Sequence, residues 1–249
     1  MTAARDTSLW SADDSLVPDA DECVITHFSL QADPEIVARL RTLLSPDEVQ
    51  RADRFLRPEH GEAFTVAHGV LRVVLGDILA TPAESLAFDE GEFGKPALNP
   101  PRLQFNLSHS AGHAALAVTR TCAVGIDIEG PRPSSDLEKL AQRYFTPEEV
   151  SALEALPESL QQSGFFRVWS SKEAMMKVTG RGLGLGLNNF TVEVSPDSPP
   201  GLITPPAAYP DSTNYAWFES PITPDMKAVV VAESPDVQFR VCPLTLART

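Results

Sequence analysis

The chain carries the same helix-start signal twice, 101 residues apart. Residues 45–49 (SPDEV) and 146–150 (TPEEV) each place a hydroxyl at the N-cap, proline at the first helical position and glutamate at the third. In such a capping box the hydroxyl and the glutamate each satisfy a backbone N–H, so the pattern starts a helix. At the same offset Phe64 meets Phe165, and the amphipathic helices that follow align without a gap. We therefore predict an internal duplication; the alternative is that a common helix start recurs by chance.

A duplication predicts two similar halves, each with helices and a small sheet, and a ligand cleft between them. We predict an acidic, mobile N-terminal tail over residues 1–22, an N-terminal half over 23–123 and a C-terminal half over 124–249. Hydrophobic periodicity predicts strands at 23–30, 103–110, 113–119, 124–129, 190–194, 214–219 and 227–232, and helices at 34–44, from 45, around 64–78, after 133, from 146 and at 165–179. Residues 195–210 contain six prolines and are predicted to be a loop.

Charge and cysteine content narrow the class of protein. The net charge is −14, from 20 basic and 34 acidic residues, which disfavours a general nucleic-acid binder. No apolar run approaches the ~18–20 residues of a membrane span, and the N-terminus has no apolar core typical of a signal peptide. The three cysteines, Cys23, Cys122 and Cys242, are too few and too dispersed for a disulfide framework or a zinc pair. We expect a cytoplasmic protein.

The segment VGIDIE (124–129) is a candidate metal-binding strand. Side chains alternate along a strand, so Asp127 and Glu129 share one face and lie roughly 6.5–7 Å apart. Two carboxylates at that spacing can converge on Mg²⁺, which prefers oxygen ligands. The alternative is the polar face of a half-buried strand.

A second candidate is WSSKEAMMK (169–177). On a helical wheel Lys172 and Glu173 fall inside the apolar arc and Lys177 lies at its edge. Charges on a buried stripe are costly unless they are paired or liganded. The alternative is an ordinary i,i+4 pair of Glu173 with Lys177 on a solvated face.

Four further side chains could bind phosphate. Lys95 lies in a Gly-Lys-Pro turn, Ser108 and His109 lie at the end of a strand, and Arg51 belongs to a basic set in an otherwise acidic region. Each alone is equally compatible with a turn, a strand end or intrahelical pairing. The glycine-rich GRGLGLG fits neither a P-loop nor a dinucleotide-binding fingerprint.

Taken in order, RADRF, FGKP, FNLSHS, VGIDIE, WSSKEAMMK and GRGLGL resemble the 4′-phosphopantetheinyl transferases, specifically the Sfp-type class that acts on carrier domains. The resemblance covers residues 45–194. It implies an α+β fold of two similar α/β halves with the active site between them, and a monomer. It also implies transfer of 4′-phosphopantetheine from coenzyme A to a serine of an acyl- or peptidyl-carrier domain, with release of 3′,5′-ADP.

The resemblance assigns the metal and catalytic roles to the C-terminal half. Asp127, Glu129 and Glu173 are the expected ligands of Mg²⁺, with Mn²⁺ as an alternative, and Lys177 is expected to neutralise a diphosphate oxygen. Either Glu173 or a metal-bound water takes the serine proton. Lys172 is expected either to contact coenzyme A or to pair with Glu173 and orient it.

The N-terminal half is expected to hold the phosphates of coenzyme A. Lys95, His109 and Arg51 are the expected phosphate contacts, with His109 and Arg51 on the 3′-phosphate. Ser108 is expected to bond a phosphate or ribose oxygen.

The expected partners are carrier domains of fatty acid, polyketide or nonribosomal peptide synthases. Such domains are usually acidic around the serine, so a protein of charge −14 must dock through local bases and an apolar patch. Residues 133–164 are the expected docking surface. Two alternatives remain: another Mg²⁺-dependent enzyme acting on a diphosphate, such as a hydrolase, and a non-catalytic module that binds coenzyme A or a carrier domain.

Overall fold

The computed structural model describes residues 9–12, 14–92, 94–130 and 137–247. Its helices are α1 (Pro34–Arg41), α2 (Pro46–Asp53), α3 (Pro58–Leu79), α4 (Leu137–Tyr144), α5 (Pro147–Ala155) and α6 (Glu158–Thr179). Its strands are β1 (Trp10–Ala12), β2 (Glu22–Ser29), β3 (Phe88–Glu90), β4 (Pro96–Leu98), β5 (Gln104–Ser110), β6 (His113–Thr119), β7 (Val124–Glu129), β8 (Thr191–Val192), β9 (Leu202–Thr204), β10 (Ala216–Thr223), β11 (Met226–Ala232), β12 (Gln238–Val241) and β13 (Leu244–Leu246). Phe93, which begins the FGKP motif, lies outside the described residues. Residues 131–136, which include the start of the expected docking surface at 133–164, also lie outside them.

The two halves have the same order of elements. The first runs β2-α1-α2-α3-β3-β4-β5-β6, and the second runs β7-α4-α5-α6-β8-β9-β10-β11. The larger sheets also correspond, because β2-β6-β5 in one has the same antiparallel order as β7-β11-β10 in the other. The prediction of two similar α/β halves is therefore confirmed.

Both predicted capping boxes form. The Ser45 hydroxyl accepts the N–H of Glu48, and the Glu48 carboxylate accepts the N–H of Ser45. Thr146 and Glu149 do the same at the start of α5. Each pair satisfies two of the N–H groups that a helix start leaves unpaired.

The long helices of the two halves lie 100 residues apart in sequence, one fewer than the 101 residues that separate the capping boxes. Helices α3 and α6 span residues 58–79 and 158–179, and each ends at a left-handed residue, Ala80 and Gly180 respectively. The offset is therefore 100 in these helices, because α3 begins 13 residues after its capping residue Ser45, whereas α6 begins 12 residues after Thr146. The prediction of a gapless alignment is wrong by this one residue, and Phe64 corresponds to Gly164 rather than to Phe165.

The halves meet where β5 lies beside β7. No backbone ladder joins these two strands; instead, side-chain oxygens of β5 accept the edge N–H groups of β7. The bonds run from Ile126 to Asn106 (2.8 Å), from Ile128 to Ser108 (3.3 Å) and from Gly130 to Ser110 (3.1 Å). This junction brings the motif FNLSHS directly against VGIDIE.

The opposite junction is closed by the C-terminal segment. Strand β12 pairs in parallel with the outer edge of β2, and Phe239 of β12 stacks on Phe218 of β10 with ring centroids 5.1 Å apart. By the duplication, this edge of β2 corresponds to the edge of β7 that faces β5. One junction between the halves is thus filled by a strand, and the other is bridged by polar side chains.

Two predicted boundaries are wrong at the chain ends. Trp10–Ala12 pairs with Leu244–Leu246, and Leu9, Trp10 and Leu16 are buried in the first core, so the described part of 1–22 is packed rather than a mobile tail. Burial of these apolar side chains offsets the polar character of the segment. Strands β12 and β13 likewise join elements of the N-terminal part, so the C-terminal half does not extend intact to residue 249. Within the described ranges, no helix is long and apolar enough to cross a bilayer.

Candidate active site

The centre of the site is a hydrogen-bonded group of Lys177, Asp127 and Ser108. The Lys177 ammonium donates to Asp127 Oδ1 (2.7 Å), to Ser108 Oγ (3.1 Å) and to the carbonyl of Ile126 (3.1 Å). Ser108 Oγ also lies 3.0 Å from the same Asp127 oxygen. An ammonium has three N–H donors, so these contacts account for all of them and fix the Lys177 head group at the junction.

A glycine allows α6 to approach β7 this closely. A Cβ on residue 125 would overlap the carbonyl oxygen of Ala174 and the backbone nitrogen of Val178. Gly125 is therefore required for space, and its position places the helix that carries Glu173 and Lys177 directly over the strand that carries Asp127.

Three carboxylates lie within electrostatic reach of one another. Asp127 is buried, and Glu129 accepts a hydrogen bond from Ser110 Oγ (3.1 Å). The pKa of Glu173 is raised by partial burial and then by the charges of Asp127 and Glu129, whereas Lys177 opposes this shift. Because the negative charges of the three carboxylates repel one another, a cation bound between them would stabilise their ionised forms.

One oxygen of this group supports the presence of a cation site. Asp127 Oδ2 is buried without a hydrogen-bond partner, an arrangement that is costly for a carboxylate oxygen. Oxygen donors of this kind suit a hard divalent cation. Within the described ranges no three His, Cys, Asp or Glu side chains already form a metal site. The assignment of Asp127, Glu129 and Glu173 as ligands therefore stays a prediction.

Positive charge collects on the N-terminal side of the junction. The pKa of the exposed His109 is lowered, first by partial desolvation and then by the positive charges of His68, Lys177 and Arg51; the charge of Asp127 acts the other way. Arg51 therefore lies within electrostatic reach of His109, and their shared phosphate site stays a prediction. A bound phosphate would relieve the repulsion within this group.

His68 is a member of this group that sequence reasoning missed. Its ring stacks on Phe64 with centroids 4.0 Å apart, and the Arg51 guanidinium lies 5.2 Å from the Phe64 ring. Its Nδ1 lies 3.4 Å from Glu48 Oε1. Phe64 and His68 are four residues apart in α3, so the i,i+4 spacing could have paired them, but nothing in the sequence linked α3 to the end of β5.

Lys95 has a structural role that the sequence did not predict. Its ammonium donates to the carbonyls of Val124 and Lys177, both at 2.8 Å, and so ties the start of β7 to the end of α6. Burial lowers its pKa to about 8; the charge of Lys177 lowers it further, and Glu233 opposes the shift. Lys95 therefore connects these two elements through two of its three N–H groups, and its predicted phosphate contact stays a prediction.

Lys172 is not at the site, and both of its predicted roles are wrong. Its side chain is fully buried, with the ammonium 2.9 Å from Glu149 Oε2 and bonded to the carbonyls of Leu187 and Phe190. Successive residues of a helix point about 100° apart, so Lys172 enters the core while Glu173 faces the junction. The corresponding pair in the first half is Arg72 with Glu48, at 2.7 Å.

Comparison with known proteins agrees with this architecture. Residues 123–232 match the family model of the 4′-phosphopantetheinyl transferase superfamily. The chain is 41% identical over 192 residues to the 4′-phosphopantetheinyl transferase HetI of Nostoc sp. (strain PCC 7120), which covers 76% of this chain and 81% of HetI. It is 30% identical over 200 residues to Sfp of Bacillus subtilis (strain 168), covering 80% and 86%, and 33% identical over 170 residues to psf-1 of Bacillus pumilus, covering 68% and 72%.

The chain therefore belongs to the 4′-phosphopantetheinyl transferase superfamily. Its similarity to Sfp, over most of both chains, places it with the Sfp-type members.

The protonation of Lys95 provides a first prediction. Its pKa is about 8 in the folded protein and near the ordinary 10.5 after unfolding, so between these values the unfolded state binds more protons. The free energy of unfolding of the wild type, relative to Lys95→Met, should therefore rise with pH by up to about 1.4 kcal/mol per pH unit. Urea unfolding of both proteins at pH 7.5 and pH 10 measures this difference. A difference that does not change with pH would contradict the desolvation of Lys95.

Proposed function

We propose that this protein transfers the 4′-phosphopantetheine of coenzyme A to a serine of acyl- or peptidyl-carrier domains and releases 3′,5′-ADP. The observation that carries this proposal is the junction of the two halves, where a basic group from one half lies next to a carboxylate group from the other. Arg51 and His109 supply the first, and Asp127, Glu129 and Glu173 supply the second. A diphosphate ester needs both: positive charge for its phosphates, and carboxylates for a cation and a proton.

Asp127, Glu129 and Glu173 would hold Mg²⁺, with Mn²⁺ as an alternative. When bound, the cation neutralises the charge of the diphosphate. Lys177 adds a fixed positive charge beside Asp127, because three hydrogen bonds hold its ammonium there. Ser108 accepts one of these bonds and lies within bonding distance of Asp127, so it orients both groups.

Glu173 is the proposed general base. Its pKa is raised by burial and by its carboxylate neighbours, which brings it closer to the pH at which a base works best. The serine oxygen forms a bond to the β-phosphorus of coenzyme A, and the bond from that phosphorus to the bridging oxygen breaks. The serine proton passes to Glu173, and the bridging oxygen leaves with 3′,5′-ADP.

Carrier domains of fatty acid, polyketide or nonribosomal peptide synthases are the proposed acceptors. A single chain supplies both sides of the junction, so we propose that the enzyme acts as a monomer in the cytoplasm. Sedimentation velocity should give one monomeric species at micromolar concentration. An obligate dimer or trimer would contradict the proposal that one chain forms the whole site.

The release of 3′,5′-ADP tests the reaction against its alternatives. A transferase should release 3′,5′-ADP from coenzyme A and Mg²⁺ only when an apo carrier domain is present. A hydrolase would release it without a carrier, and a non-catalytic binding module would release none. Chromatographic analysis of the nucleotides with and without the carrier separates the three.

The 3′-phosphate contact of His109 gives a further prediction. A charge-assisted hydrogen bond contributes roughly 1.5–3 kcal/mol, so His109→Ala should weaken coenzyme A binding by about tenfold or more. Dephospho-coenzyme A, which lacks the 3′-phosphate, should bind the variant and the wild type equally. Titration calorimetry with both ligands measures this. Arg54→Ala is the control, because Arg54 follows α2 and bonds Gln50 of that helix. An equal loss of affinity for both ligands would show that His109 does not contact the 3′-phosphate.

A further inference from the structure

Two histidines on neighbouring strands form a group of nitrogen ligands apart from the carboxylates. The first is His27 on β2. Side chains alternate along a strand, and Cys23 and Ile25 of β2 are buried in the core that the two larger sheets share. His27 therefore points to that same face of its sheet.

The second histidine, His113, lies on the same face at the start of β6. It opposes Ser29 in the register of β2 with β6, whereas His27 opposes Ala115. The two histidines are therefore diagonal neighbours, which lie roughly 7–8 Å apart and within reach of aromatic side chains. Partial burial lowers the pKa of His27, and the charge of His113 lowers it further, so the two rings are within electrostatic reach of each other.

Both rings line one cavity. It has a volume of about 630 Å³ and lies between the end of β2, the start of β6, Ile222 of β10 and residues 243–247. Among the described residues that line it, Asp33 carries the one carboxylate, and Ser29 and Thr245 carry hydroxyls. Since a water molecule takes up roughly 30 Å³, the cavity can hold an ion and several waters beside the two rings.

Each ring has a nitrogen available to a ligand. His113 Nδ1 lies 3.3 Å from the carbonyl oxygen of Ala111; a carbonyl can only accept, so Nδ1 is the donor and Nε2 keeps its lone pair. Metal-binding histidines are commonly held by such a bond from the second ring nitrogen to a carbonyl. Among the hydrogen bonds of the described residues, none involves the His27 ring.

The type of ligand decides which ion would bind. Neutral imidazole suits Zn²⁺, Ni²⁺ and Cu²⁺, whereas Mg²⁺ prefers the carboxylate oxygens of Asp127, Glu129 and Glu173. We propose that His27 and His113 form a second metal site, which takes a divalent cation of the Zn²⁺, Ni²⁺ and Cu²⁺ class. No set of three His, Cys, Asp or Glu side chains among the described residues could hold the ion, so water completes its shell.

The site would connect the first sheet with the C-terminal segment. Residues 243–247 line the cavity opposite the two histidines and include β13, which pairs with β1. An ion that binds the folded state and not the unfolded chain stabilises the fold. The free energy of unfolding, measured with urea, should therefore rise with Ni²⁺ concentration.

Nickel binding provides the test. Titration calorimetry with Ni²⁺, in saturating Mg²⁺, should show a site that His27→Gln and His113→Gln each weaken by roughly tenfold or more, the scale on which loss of even an outer partner of a metal ligand acts. His60→Gln is the matched control, because His60 is exposed on α3 and lines a different cavity. It should bind Ni²⁺ as the wild type does.

A second readout identifies the ligands, because Ni²⁺ can also replace Mg²⁺ at the carboxylates. The paramagnetic resonance spectrum of bound Cu²⁺ should show coupling to two imidazole nitrogens in the wild type and to one in each histidine variant. Ni²⁺ affinity and a Cu²⁺ spectrum that neither substitution changes would overturn the proposal, and so would equal losses in His60→Gln. If His27→Gln does not fold, His113→Gln at the partly exposed start of β6 decides alone. The proposal does not depend on transferase activity.

Discussion

Glu173→Gln should lower kcat by about 10²–10⁴-fold, the usual contribution of a general base, while coenzyme A still binds. An amide keeps the shape of the side chain but cannot accept the serine proton. Because Glu173 is also a proposed metal ligand, the assay is run at saturating Mg²⁺. Raising the pH should recover part of the rate, since hydroxide can replace the base. Rate measurements over pH and Mg²⁺ concentration provide the test.

Asp127→Asn is the matched control for this prediction. It also removes one negative charge at nearly constant shape, but Asp127 is proposed to bind the cation and to hold Lys177 and Ser108, not to accept a proton. High Mg²⁺ should therefore restore much of its rate. If high Mg²⁺ rescues Glu173→Gln equally well, Glu173 is only a ligand and a metal-bound water is the base.

Lys172→Met should destabilise the protein by roughly 3–5 kcal/mol, the cost of removing one partner of a buried ion pair. Glu149 would keep its bonds to the N–H groups of Thr146 and Val192 but would lose the Lys172 ammonium, and its carboxylate would remain in the core without exposure to solvent. Urea unfolding measures the loss. Lys139→Met, on the exposed face of α4, is the control and should change stability by less than about 0.5 kcal/mol.

A double substitution separates this cost from simple loss of packing. In Lys172→Met with Glu149→Gln, no uncompensated charge remains in the core, so the double variant should be more stable than Lys172→Met alone. Equal or lower stability of the double variant would show that the pair contributes mainly through the hydrogen bonds of Glu149.

Local signals predicted the repeat well, because each has a local cause. The capping boxes depend on a few neighbouring residues, and both formed as expected. The alternation in VGIDIE identified the strand and the shared face of Asp127 and Glu129, and their surroundings support that reading. The connection before α3 shifted the offset by one residue, which a pattern comparison alone did not detect.

The errors have a common cause, which is that long-range contacts decide the role of a charged side chain. Lys172 and Glu173 are adjacent in sequence and both fell in the apolar arc, yet only contacts with Glu149 and the carbonyls near residue 190 show which one is buried. The structural role of Lys95 was missed because its acceptors, at Val124 and Lys177, are distant in sequence. The N-terminal segment looked mobile because its partner strand lies at the other end of the chain.

The duplication also accounts for a single active site. The residues of the first half that correspond to Asp127, Glu129, Glu173 and Lys177 are Thr26, Phe28, Val73 and Asp77. This set has one carboxylate in place of three and no cation, so it cannot repeat the chemistry. Strand β12 covers the adjacent edge of β2. The repeat thus provides two similar arrangements of strands and helix. Of the two corresponding places, the junction of β5 with β7 has the polar groups that the proposed reaction needs, and the edge of β2 covered by β12 does not.

The most direct test of the account is the intact mass of an apo carrier domain after incubation with this protein, coenzyme A and Mg²⁺. The account predicts that the carrier gains one 4′-phosphopantetheine, that a carrier with its acceptor serine replaced by alanine gains none, and that Glu173→Gln slows the gain. An unmodified carrier under conditions where coenzyme A demonstrably binds the protein would contradict it.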